Sequence, residues 1–174
     1  MRISIVQDLK TERALCFEVF YGMTVGDLVA PVWHRLLIAE GENKQSLLDP
    51  SVFLSLIPEP GKSPELRNLA IFVSNAGEEF TTVQAREIIE EQGWQAMTLR
   101  QLYCCLNCVP MMPVGVILGG THRKHAFPYV ISRVEAKEEG EKVWTCHLTL
   151  VSATDGFWPT KTSFLATCPV HTSA

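Results

Sequence analysis

No stretch of this 174-residue chain is apolar for anything near the roughly 20 residues that cross a bilayer. The opening, Met1 to Asp8, lacks the apolar core of a secretory leader and carries an acid at Asp8, which predicts a cytoplasmic protein where disulfides are rare. Positive charge is not in excess: 15 Lys and Arg stand against 19 Asp and Glu, a net charge of -4. That excludes a general nucleic-acid binder and a polybasic membrane-surface protein, both of which need a basic face. Low-complexity tracts and internal repeats are missing. So are a Gly-x-Ser-x-Gly nucleophile elbow and the Gly-Lys-Ser/Thr ending of a phosphate-binding loop.

What is present is an ordinary globular composition, 47% apolar and 20% charged, which predicts folded structure nearly throughout. The length suits one α+β domain with a real core, spanning residues 1–174. The stretch Pro58 to Pro64 (PEPGKSP) reads as the strongest linker. It sets an N-terminal segment of residues 1–58 apart from a main unit over 65–170. Ile3 and Ile5 alternate as in a short strand, and Arg13–Tyr21 reads as a second. Thr24 with Asp27 marks a helix start. Val32, Trp33, Leu36 and Leu37 then predict a helix over 32–39, and Asp49-Pro50 a short helix to Ile57. Leu69–Ser74 is a continuous apolar strand.

Two Thr-x-x-Gln capping boxes follow, Thr81 to Gln84 and Thr98 to Gln101. The first opens a helix through Gln92 with Val83, Ile88 and Ile89 inward. The second opens a helix through Leu99, Leu102, Tyr103 and Leu106. Strands over 114–118, 126–134, 143–151 and 162–168 complete an antiparallel C-terminal sheet with two helices packed on it.

The six cysteines supply the chemistry-bearing spacings. Cys105 and Cys108 form Cys-x-x-Cys, His122 and His125 form His-x-x-His, and Cys168 and His171 form Cys-x-x-His. Cys105, Cys108, Cys168 and His171 together have the donor set of a tetrahedral zinc site, since short-spaced ligand pairs lower the entropy of gathering four ligands. The competing reading makes them small buried hydrophobes. A thioredoxin-like role is disfavoured because Cys105 and Cys108 follow their helix rather than open it, and a helix C-terminus disfavours thiolate. Cys146 and His147 are neighbours on a strand, so they point to opposite faces and cannot pair directly.

A second constellation is the loop Gly119, Gly120, Thr121, His122, Arg123, Lys124 and His125. Two glycines end a strand and four potentially cationic side chains follow. Exposed backbone N–H groups beside Arg and Lys suit a phosphate or carboxylate, while a solvated turn is the plainer reading. Trp33, Trp94, Trp144 and Trp158 are read mostly as core residues. Trp158, in Asp155-Gly156-Phe157-Trp158-Pro159, either offers an exposed aromatic surface or pins its loop to the core.

Three pieces of the second half carry a resemblance: Phe80–Leu102, Pro113–Gly120 (PVGVILGG), and Trp158 with Ser163-Phe164-Leu165-Ala166. Their order over residues 69–168 resembles an uncharacterised protein family of uncultured small bacteria. It departs in an extra residue before Thr98 and in Gln101 where that family has Glu. More distantly the order is similar to C-type-lectin-like domains of the formylglycine-generating type, with Met97-Thr98 to Leu102 and Gly119-Gly120-Thr121 as counterparts. The Pro, Glu and Trp of that family's helix motif are missing, as is the Glu-Pro-Asn calcium signature. The resemblance therefore implies a topology and carries no calcium or catalytic residue with it.

These readings favour a non-enzymatic binding or interaction module, with an unknown protein or small anionic ligand as partner. Its surface would join the 119–125 loop to the aromatic loop at 155–159. The alternatives are a metal-assisted enzyme built on the Cys and His pairs and a zinc-stabilised structural protein.

Overall fold

The computed structural model describes residues 3–5, 16–38, 47–74, 81–108, 115–119, 129–138, 141–150, 158 and 161–170. The described strands and helices are β1 (Ile3–Ile5), β2 (Cys16–Val19), α1 (Val25–Val29), β3 (Leu36–Ile38), β4 (Glu65–Ser74), α2 (Thr82–Glu91), β5 (Gln95–Ala96), α3 (Leu99–Cys108), β6 (Gly115–Ile117), β7 (Tyr129–Glu138), β8 (Glu141–Leu150) and β9 (Ser163–Pro169). The mixed α+β class follows directly.

Local chemistry sets the helix starts. Thr24 caps α1, its Oγ1 accepting from the Asp27 N–H at 3.2 Å. In α2 the Thr81 hydroxyl accepts from Gln84 N–H at 3.2 Å, and the Gln84 carbonyl oxygen accepts from Thr81 N–H at 3.0 Å. Thr98 and Gln101 make the same reciprocal pair, at 3.2 and 3.0 Å, for α3. Each box satisfies two backbone donors that a bare helix start leaves open. Gly93 ends α2 at φ +80°, a left-handed conformation that costs a side-chain-bearing residue but not glycine.

All nine strands join one sheet in the order β1-β4-β9-β6-β7-β8-β3, with β2 also on β4 and β5 also on β9. Pairing is antiparallel except for β6 with β9 and β3 with β8. The C-terminal sheet is thus not a separate antiparallel unit. β9 inserts between β4 and β6, binding the N-terminal strands and the C-terminal hairpins into one surface. Helices cover both faces. Phe164 and Ala166 of β9 pack with Ala85 and Ile89 of α2, while Leu165 packs with Leu99, Leu102 and Tyr103 of α3. Strand alternation sends successive residues of β9 to these opposite layers.

Phe17, Val19, Leu28, Val32, Phe53 and Leu56 share the α3-side apolar cluster with Ile117, Leu148 and Leu165. Residues on both sides of Pro58–Pro64 therefore bury surface in one core.

Several local expectations are corrected. Residues 30–35 form a 3-10 helix with Pro31 in its first turn, and Leu36–Ile38 leave it as β3, paired in parallel with Cys146–Leu148. Those apolar residues gain ladder bonds there that a continued helix would forfeit. After Asp49 the chain turns rather than forming a helix. The Asp49 carboxylate accepts from Ser51 N–H at 2.8 Å, and only Leu54–Leu56 makes a single 3-10 turn. Val83 points outward, 63% exposed, and Ala85 takes the inward place with Ile89. Trp33, read as core, is 44% exposed.

Candidate functional site

Gly119 is the described residue of the basic loop, and residues 120–125 lie outside the described residues. Its N–H donates to the Met97 carbonyl at 2.9 Å. A Cβ at this position would fall 2.5 Å from the carbonyl oxygens of both Ala96 and Met97. Glycine is required here because β5 and the end of β6 converge along the edge of β9, backbone against backbone. The segment 120–125 accordingly departs from an anchored point.

Trp158 is buried, 8% exposed. Its indole Nε1 donates to the Thr82 hydroxyl at 3.1 Å, and its ring meets Phe164 edge-on with centroids 6.0 Å apart. Of the two roles given to this tryptophan, the geometry gives it the pinning one. It is also displaced from Gly119. Phe164 pairs with Val116, whereas Gly119 lies three residues after Val116, past the end of β6, beside Met97. That is a separation on the order of 10 Å along the strand. The remaining residues of the 119–125 and 155–159 loops lie outside the described residues.

The zinc quartet is not assembled among the described residues either. Cys105 is fully buried on α3 and its thiol is pushed up to about 12 by burial, then by Cys108, Cys104 and Cys146. Cys108 is exposed at the last residue of α3. Cys168 sits on β9 next to Thr167, whose hydroxyl donates to Gln101 of α3. Alternation therefore turns Cys168 to the face away from α3 and Cys105. His171 lies outside the described residues. No group of three or more His, Cys, Asp or Glu placed to hold a metal occurs among the described residues. Burial also raises Cys104 and takes Cys146 to about 12, so the interior thiols favour the protonated form over the thiolate that nucleophiles and metal ligands require. Cys146 is buried, and His147, on the opposite face, is half-buried with no hydrogen-bond partner for its Nε2 among the described residues.

The strongest polar constellations are ones that motif reading misses. Arg100 of α3 is buried, and its guanidinium donates to the carbonyls of Phe20 and Ser55 at 2.7 Å and of Met23 and Leu56 at 2.9 Å. Burial lowers its pKa below the ordinary value, and the four carbonyl oxygens offset the desolvation. Arg67 of β4 is buried on the same side of the sheet. Its Nε donates to Thr167 Oγ1 at 3.0 Å, Nη1 to Glu65 Oε2 at 3.1 Å and Nη2 to Gln95 Oε1. The same Glu65 oxygen accepts from the Tyr21 hydroxyl at 2.5 Å, and Lys62 Nζ stands 3.7 Å over the Tyr21 ring.

Burial first, then the Glu65 hydrogen bond, raises Tyr21 to about 12. The Tyr21 hydrogen bond is the leading cause that holds the Glu65 carboxyl below its ordinary value. A phenol kept protonated and a carboxylate kept ionised lock this corner of the sheet; neither is poised to move a proton near pH 7. Both arginines stand in the sequence without a motif, because their partners lie up to 100 residues away.

No family model, curated protein or solved structure matches this chain. No described helix is long and apolar enough to cross a membrane.

Proposed function

We propose that this protein is a non-enzymatic binding module whose ligand-facing element is the basic segment Gly120 to His125, taking an anionic group of a small molecule or a protein partner. The observation that carries this reading is the anchoring of Gly119 beneath the Ala96 and Met97 carbonyls. An anchored departure point lowers the entropy of presenting His122, Arg123 and Lys124 to an anion. Against a chain of net charge -4, four consecutive potentially cationic residues make a local site rather than a general polyanion surface. Trp158, buried against Phe164 and Thr82, is not itself a contact residue in this reading. The order of helices, glycine-ended strand and closing strand is also the basis on which we infer a distant C-type-lectin-like relationship. No calcium or catalytic role is attached to it.

The test is a titration of the protein with inorganic pyrophosphate, followed by amide chemical shifts. Perturbations that centre on residues 119–125 and vanish in Arg123→Ala/Lys124→Ala, with the fold unchanged by circular dichroism, support the reading. Shifts that survive the double substitution, or none at all together with no anionic peptide captured, retire it.

A further inference from the structure

The strand order ends at β3, whose residues pair with β8 on one side and, among the described residues, with no strand on the other. An edge strand presents backbone N–H and C=O groups that a further extended chain can take up. A strand of three residues offers few of them, so the ladder alone does not hold a partner firmly.

The 3-10 helix that leads into β3 adds what the strand lacks. Three residues per turn stack Ala30 with Trp33 and Pro31 with His34, and leave Val32 on the third side. Burial follows that division. Val32 lies in the α3-side core, whereas Ala30, Pro31, Trp33, His34 and Arg35 are all exposed. Neither His34 nor Arg35 makes an ion pair within the described residues. The stretch 30–38 contains no Asp or Glu, in a chain whose net charge is -4. The chain therefore enters its edge strand past an exposed indole, an imidazole and a fixed cation.

We propose that the outer edge of β3, with Trp33 and Arg35 at its entrance, docks an extended acidic peptide segment of a partner protein by strand addition. The edge takes the peptide backbone, Trp33 offers a rigid apolar face to one side chain, and Arg35 takes a carboxylate in forked geometry. Charge complementarity fixes the sign of the occupant, since this entrance is cationic and holds no acid of its own. A nucleic acid would meet the indole and the cation but leave the backbone groups of the edge unused, so a peptide fits more of what is present. β3 stands three strands from β6 in the sheet order, on the order of 14 Å, and the surface is distinct from the Gly119 anchor.

The test adds an acetylated, amidated hexapeptide of alternating glutamate and valine to the full-length protein and follows amide chemical shifts. Shifts that centre on residues 33–38, with affinity lowered about 10-fold or more by Trp33→Ala and by Arg35→Glu, support the surface. Circular dichroism checks that each variant folds. The Arg35→Glu protein is also expected to bind the matching lysine–valine peptide more tightly than the parent does, a gain that a merely damaged fold would not produce. Proline in place of the peptide's valines removes backbone donors and keeps the charges, and it is expected to lower affinity by a similar factor. No shifts at about 1 mM peptide overturn the proposal. So do shifts centred on residues 119–125, full affinity in either variant, or an interaction that tolerates the prolines. A single-stranded oligothymidine that moves the same amides at lower concentration than the peptide would assign the surface to nucleic acid, and overturns it as well.

Discussion

Arg100 carries its charge into the core, where carbonyl oxygens from the 20–23 turn and the 55–56 turn receive it. Replacement by methionine fills much of the volume but leaves four carbonyls without donors, at about 1–3 kcal/mol for each that water cannot reach. Arg100→Met is expected to lose at least about 3 kcal/mol in urea denaturation; a loss under about 1 kcal/mol would show that water replaces the guanidinium.

Gly119→Ala tests a different effect at the same scale. The added Cβ meets two backbone oxygens that no rotamer change can clear, so about 1–3 kcal/mol is lost by overpacking. A variant as stable as the parent would mean that β5 moves aside.

Tyr21 supplies the pH dependence. Its folded value of about 12 lies above its ordinary 10.0, so its contribution is complete below pH 10 and disappears as pH rises through about 12. Glu65 has the opposite sign: its contribution holds above about pH 4.5 and fades as pH falls through its lower folded value. Urea midpoints at pH 9 and pH 11.5 should fall further for the parent than for Tyr21→Phe; equal falls would remove Tyr21 from the alkaline transition.

At the scale of elements, legibility followed the distance between partners. The boxes at Thr81 and Thr98 were readable because cap and partner are three residues apart and each satisfies the other. Thr98→Ala is expected to cost about 1 kcal/mol through loss of the α3 cap, and Thr98→Ser most of it to be recovered, both measured by thermal melts. The misread segment Leu36–Ile38 shows the other case. Leu36 and Leu37 fit helical spacing, yet β8, more than a hundred residues on, takes them as a parallel strand. Separation in the chain also hid the insertion of β9 beside β6, and it hid Arg67, whose Thr167 partner decides that a charge can be buried. At the candidate site, spacing revealed that Cys105, Cys108 and Cys168 exist as ligand types. It could not reveal that alternation of β9 turns Cys168 away from α3, to the face where it meets Asn68 of β4.

At the scale of the whole molecule, the Pro58–Pro64 stretch looks like a boundary in composition and is not one in packing. β1 and β2 both pair with β4, which follows the stretch, and Phe17, Val19, Leu28, Phe53 and Leu56 lie in one apolar cluster with Leu102, Tyr103 and Leu165. Tyr103 itself donates to the Leu47 carbonyl at 2.7 Å, and Asn107 to the Leu28 carbonyl, also at 2.7 Å. Cutting the chain at the stretch would expose the α3 face of the sheet, leave Arg100 without its four acceptors and free one edge of β4. A fragment of residues 65–174 is therefore expected to lack a cooperative urea transition and to bind a hydrophobic dye. Adding a separate 1–57 peptide should restore the transition in proportion to its concentration, since the complementary strand and core residues return by mass action. A fragment that unfolds cooperatively alone would show instead that the α2 layer and the C-terminal hairpins suffice, and that the N-terminal segment is an addition to a complete core.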